Sequence, residues 1–92
     1  MDYDLKWILV NSYKSEIITF LEDHPEYFNE MVELAIADQK PYSWRAAWAL
    51  WSCMQPDDRR LKPYINQLIR VIPERNENHK REVMKILEQM MI

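Results

Sequence analysis

Apolar residues recur three and four positions apart along most of the chain, which is the rhythm of one face of an α-helix. Six helical segments follow from it. The first runs from about Tyr3 to Asn11, and a break at Asn11-Ser12 separates it from a second, from about Tyr13 to Asp23. His24-Pro25 stops the second, because a residue before proline avoids helical angles. The third runs from about Glu26 to Ala37, with Phe28, Met31, Val32, Ala35 and Ile36 on one stripe. Asp38 to Tyr42, holding Pro41, connects to a fourth that reaches Met54 and has Ser43 as its expected N-cap. Gln55-Pro56-Asp57-Asp58 ends that helix. The fifth starts near Arg60, takes Pro63 in its first turn and ends near Ile72-Pro73, and the sixth runs from about Asn78 to Met91. Connections of about five residues suit antiparallel neighbours.

The helices repeat. "EYFNEMVELAI" from Glu26 aligns with "PYINQLIRVIP" from Pro63, matching Tyr27 to Tyr64, Asn29 to Asn66, Met31 to Leu68 and Val32 to Ile69 at an offset of 37. "WRAAWALW" aligns with "KREVMKIL", matching Arg45 to Arg81, Trp48 to Met84, Leu50 to Ile86 and Trp51 to Leu87 at an offset of 36. Amphipathic helices share their apolar rhythm by construction, but the polar identities Asn29/Asn66 and Arg45/Arg81 are not required by it. Two kinds of helix alternating at one period predict an all-α chain, an α-solenoid of antiparallel helix pairs with about five to six helices.

The stretch "SWRAAWALWSCMQPDDRRLKPYINQLIRVIPERNENHKREVMKILEQM" resembles a HEAT-type repeat, with an Arg-small-apolar first helix and a second helix opened by proline. In particular it is similar to the N-terminal part of small bacterial HEAT-like proteins with an "SWRAAW" helix. The resemblance spans most of the chain, from about Ser15 onward. The pair from Tyr13 to Ala37 departs from it, because no arginine stands in the expected place of its first helix. It implies one HEAT-like domain over 1–92 whose last helix lacks its partner.

The fourth helix carries Trp44, Trp48 and Trp51 on one stripe, Ala47, Leu50 and Met54 on the next, and the small Ala46, Ala49 and Cys53 on a third side. Only Arg45 and Ser52 mark a polar strip. A helix apolar over most of its girth is buried over most of it. The tryptophans are expected to weld neighbouring repeats, with Trp44, near the helix start, facing a partner.

Composition narrows the chemistry. The chain has no glycine, which excludes Gly-rich phosphate loops. Its net charge is −3 with both signs interspersed, so no basic run marks a nucleic-acid footprint. A single cysteine, Cys53, forms no internal disulfide and fits a reducing compartment. The N-terminus reads as neither signal peptide nor membrane span, so the expected location is the cytoplasm. Cys53 is expected to be an inert buried thiol without a basic neighbour, His24 a helix-end cap and His79 a solvated side chain. Two histidines without an acid or cysteine cluster make no zinc site, Asp57 and Asp58 alone make a poor metal site, and Glu22, Asp23 and Glu26 read as a solvated turn. Glu82 and Glu88 on the last helix have no sign of a pocket that would tune them. No catalytic, cofactor-binding or metal-binding residue is assigned, and no cofactor, nucleic acid or membrane is expected.

Two surfaces remain. Asn29, Glu30 and Glu33 repeat as Asn66, Gln67 and Arg70, and stacked repeats place such positions in rows that line a binding face. Glu33 is expected to pair with Arg70 there; the alternative is a solvated face with weak ion pairs. With Trp44, these six form the candidate partner surface. At the other end, Met84, Leu87, Met90, Met91 and Ile92 would leave an apolar edge, to be closed by more chain, by self-association as a homodimer, or by folding back. The functional expectation is a protein–protein interaction or scaffold module without catalysis. The alternative is a helical nucleic-acid-processing or other enzyme-associated domain, since fold alone does not settle function.

Overall fold

The structure, a computed structural model, describes residues 3–91. They form α1 (Leu5–Asn11), α2 (Lys14–Asp23), α3 (Phe28–Ile36), α4 (Tyr42–Cys53), α5 (Ile65–Val71) and α6 (Glu77–Met90). Short 3₁₀ segments at Pro25–Tyr27 and Arg59–Tyr64 lead into α3 and α5, and a third at Ile72–Glu74 follows α5. All three hold a proline. Pro63 therefore lies in the 3₁₀ segment ahead of α5 and not in the first α-turn of the fifth helix.

Local chemistry explains the helix ends. Asp4 accepts hydrogen bonds from the Lys6 and Trp7 amides at the start of α1, and Asn76 accepts from the His79 amide at the start of α6. Glu16 reaches back to the Tyr13 amide at 2.7 Å. Ser43 is not the N-cap of α4. That helix begins one residue earlier, and the Ser43 hydroxyl turns back to accept from the Gln39 amide at 2.9 Å, closing the connection from α3. Asp57 takes a left-handed φ of 51°, which aspartate tolerates, and its amide donates to Gln89 O near the end of α6.

Helix α4 is the centre of the molecule. It packs most extensively against α3 and α6, and also touches α2 and α1. Ala46, Ala47, Ala49 and Leu50 are fully buried, and the alanines let neighbouring axes come close. The closest packing thus joins α4 to α3, the second helix of the preceding repeat, and to α6, the first helix of the following one, rather than to its expected partner α5. One continuous core runs from Leu5 and Leu9 in α1 through Met31, Leu50 and Leu68 to Ile86 and Met90 in α6. The thinnest dimension is 19 Å, room for two helix layers at interaxial distances of roughly 8–10 Å. No helix among the described residues is long and apolar enough to cross a membrane.

The repeat holds along one seam and fails beside it. Met31 and Leu68 are both fully buried, as are Leu50 and Ile86. Val32 is also buried, yet its counterpart Ile69 is 52% exposed, because α6 packs on α5 less closely than α4 packs on α3. The apolar C-terminal edge is broken up for a related reason. Met90 turns into the core and Leu87 packs against it, on the α6 face that meets α4. Met84 and Met91 are exposed, and Ile92 lies outside the described residues.

Candidate functional site

The residues expected on one partner face lie on three helices, of which α3 and α5 touch. Asn29, Glu30 and Glu33 on α3 and Asn66, Gln67 and Arg70 on α5 are all exposed, but Glu33 and Arg70 form no ion pair. Glu30 and Glu33 instead line a groove of about 490 Å³ between α1 and α3, together with Asp4, Lys6 and Leu34, in which the α5 residues take no part. None of the six side chains makes a hydrogen bond or ion pair within the described residues. Trp44 is half-buried on α4, beside Trp48 at 6.3 Å between ring centroids.

The three tryptophans of α4 alternate with cations. The Arg45 guanidinium lies 5.1 Å from the Trp44 ring centroid, and its Nη1 donates to Leu9 O at the end of α1. The Lys14 ammonium, from α2, sits 5.0 Å from the Trp48 ring and 4.6 Å from Trp51. The Lys85 ammonium, from α6, reaches Trp51 at 4.6 Å, and Trp51 Nε1 donates to Glu82. Each such contact contributes about 0.5–2 kcal/mol by cation–π attraction, more where the pair is desolvated. Trp51 thereby joins α2, α4 and α6.

Sequence reading passed over Trp7. It is 61% exposed, more than any tryptophan of α4, with Val10 and Tyr13 exposed next to it. At about 100° per residue, Leu5, Ile8 and Leu9 share one side of α1, while Trp7 and Val10 fall on the opposite side. A helix of seven residues with apolar side chains on two faces was the available signal.

Several polar groups that could have carried chemistry are occupied by the fold. His79 is not solvated: it is 3% exposed, and its Nε2 hydrogen-bonds Ala35 O, an otherwise unsatisfied carbonyl at the end of α3. Burial holds its pKa below the ordinary histidine value, against the opposing pull of that carbonyl. Arg75 donates to the adjacent Ile36 O at 2.8 Å, so two basic residues from the last third of the chain close the C-terminus of α3. Asp58 is no open metal ligand. Its two oxygens accept from Arg60 Nε and Nη2 and from the Gln55 and Arg60 amides, and the Arg60 hydrogen bonds hold the carboxyl down to about 2 despite burial. Burial pushes the Cys53 thiol up to about 11, although Arg60 is near enough to oppose this, so the thiol does have a basic neighbour. His24 packs with Tyr3, Phe20 and Tyr27 in an aromatic cluster, its ring 4.8 Å from Phe20. Among the described residues, no three His, Cys, Asp or Glu side chains gather as a metal site.

A family model described as a HEAT repeat domain matches residues 2–92. No curated protein and no solved structure matches the chain.

Proposed function

The chain belongs to the HEAT repeat domain family, and from that premise we propose that it is a non-catalytic scaffold that binds a partner protein. The observation that carries this reading is the set of disengaged side chains on α3 and α5. Asn29, Glu30, Glu33, Asn66, Gln67 and Arg70 are exposed and make no hydrogen bond or ion pair among the described residues. By contrast, Asp58 is tied to Arg60, and His79 and Arg75 are tied to the backbone carbonyls at the end of α3. Charged and amide groups left free on a rigid helical stack suit recognition, because a partner meets them without first breaking internal bonds. Trp44 adds aromatic area on a separate face of α4.

The test is photo-crosslinking from an unnatural side chain at Gln67, in the full chain and in its native host, with a matched probe at Glu22 on α2. The reading expects a discrete protein adduct from position 67 that weakens with Asn66→Ala plus Arg70→Glu. Indifference of the adduct to that double substitution would remove the α3/α5 face from the proposal. Self-association is a separate matter, read by light scattering over a concentration range. A dimer dispersed by Met84→Glu or Met91→Glu would place the interface at the exposed remainder of the C-terminal edge.

A further inference from the structure

A second surface, on the opposite side of α1 from its core stripe, has a chemistry of its own. The α1–α2 connection and α4 enclose a groove of about 460 Å³ whose walls include Val10, Tyr13, Lys14, Arg45 and Trp48. Two cations line it and no acidic residue does. Among the described residues neither Lys14 nor Arg45 forms an ion pair, in a chain with 15 acidic and 12 Lys or Arg residues. Arg45 commits one N–H to Leu9 O, and its other N–H groups make no hydrogen bond among the described residues. Of its walls Val10 is 41% and Tyr13 82% exposed, and Trp7, 61% exposed, shares the Val10 side of α1.

We propose that this groove docks an acidic peptide segment bearing an aliphatic side chain. Carboxylates would meet Lys14 and the free edge of Arg45 through charge-assisted hydrogen bonds, and the aliphatic group would cover Val10 and the Tyr13 ring. Charge complementarity selects the acidic partner, since a basic one would face two uncompensated cations. A nucleic acid fits less well. Base stacking needs open indole faces, and those of Trp48 and Trp51 already carry Lys14. This docking is independent of the α3/α5 face, so either can fail while the other stands.

The experiment is a titration of the isotopically labelled full chain, followed by amide and indole N–H resonances. The probe is a short synthetic peptide of glutamates interrupted by leucine, with an oligothymidylate of equal charge as comparison. Shifts are expected at residues 10–14, Arg45 and the Trp48 indole. Lys14→Glu is expected to weaken binding at least about tenfold, as loss of a charge-assisted contact and introduction of repulsion require. Tyr13→Ala, at a position too exposed to threaten folding, is expected to weaken it as well. Shifts confined to α3 and α5, an unaltered affinity in both variants, or oligothymidylate binding as tightly at the same residues would each overturn the proposal.

Discussion

Replacing Asp58 by Asn tests how the second repeat is fastened to the first. The Asp58 carboxylate is 6% exposed and accepts from Arg60 Nε at 2.9 Å and Nη2 at 2.7 Å, while Arg60 lies 3.7 Å from the ring centroid of buried Phe28 in α3. The pair therefore ties the α4–α5 connection to α3. Its carboxyl stands at about 2 against an ordinary 3.8, and each unit corresponds to about 1.4 kcal/mol, which gives about 2 kcal/mol. Arg60 is 42% exposed, so solvent screening reduces the expected contribution to about 1–2 kcal/mol. Asparagine keeps one carbonyl acceptor for the capping amides but loses the charged fork. Because the folded value lies below the unfolded one, the stabilisation is fully present above about pH 4 and disappears as pH falls through about 2. Urea unfolding followed by tryptophan fluorescence is to be run on both proteins across that range. Wild type is expected to exceed Asp58→Asn by about 1–2 kcal/mol at neutral pH, with the gap closing by about pH 2. A gap that is absent at neutral pH, or constant down to about pH 2, would refute the reasoning.

His79 is expected to destabilise the fold in mild acid: its folded pKa lies below the ordinary 6.5, so stability is lost as pH falls from that value. Arg75 opposes its protonation and Asp38 favours it. His79→Gln keeps a donor for Ala35 O and should flatten the dependence in urea titrations, and an unchanged slope would assign it to other groups. In α5, Leu68→Ala should lower stability by about 2–5 kcal/mol and its neighbour Ile69→Ala by under about 1 kcal/mol, because one side chain is fully buried and the other half out. Equal losses in denaturant unfolding would contradict the observed packing of α5. Cys53, raised from 9.0 to about 11, should react with an aromatic disulfide reagent about a hundredfold more slowly than a free thiol in the native state, and at the ordinary rate in urea. A fast native reaction would mean that the half-buried thiol is not desolvated enough to raise its pKa.

The expectation of an all-α HEAT-like stack was legible in the sequence. Periodicity placed five of the six helices to within about two residues and began the fifth some five residues early, and the prolines at 25, 56 and 73 announced breaks. Polar groups were less legible. His79 looks solvated when only its position near a helix start is considered. The Ala35 carbonyl that buries it lies 44 residues away, and nothing local encodes that meeting. Asp58 beside Asp57 reads as a loose acidic pair, although its partner Arg60 stands two residues on; what the fold adds is Phe28, on which Arg60 is packed.

The sequence by itself determined what depends on neighbours along the chain: helix content, the alternating repeat, and the seam of Met31/Leu68 and Leu50/Ile86 that a period of 36–37 carries inward. The tertiary structure decided which side of each helix meets another and how closely. Alanines made α4 the hub for both α3 and α6, leaving Ile69 exposed where Val32 is covered. The same packing drew Met90 inward and left Trp7 and Tyr13 outside. Local rhythm gives a helix its apolar faces, but covering them requires a second surface at the right distance, and only the assembled chain supplies it.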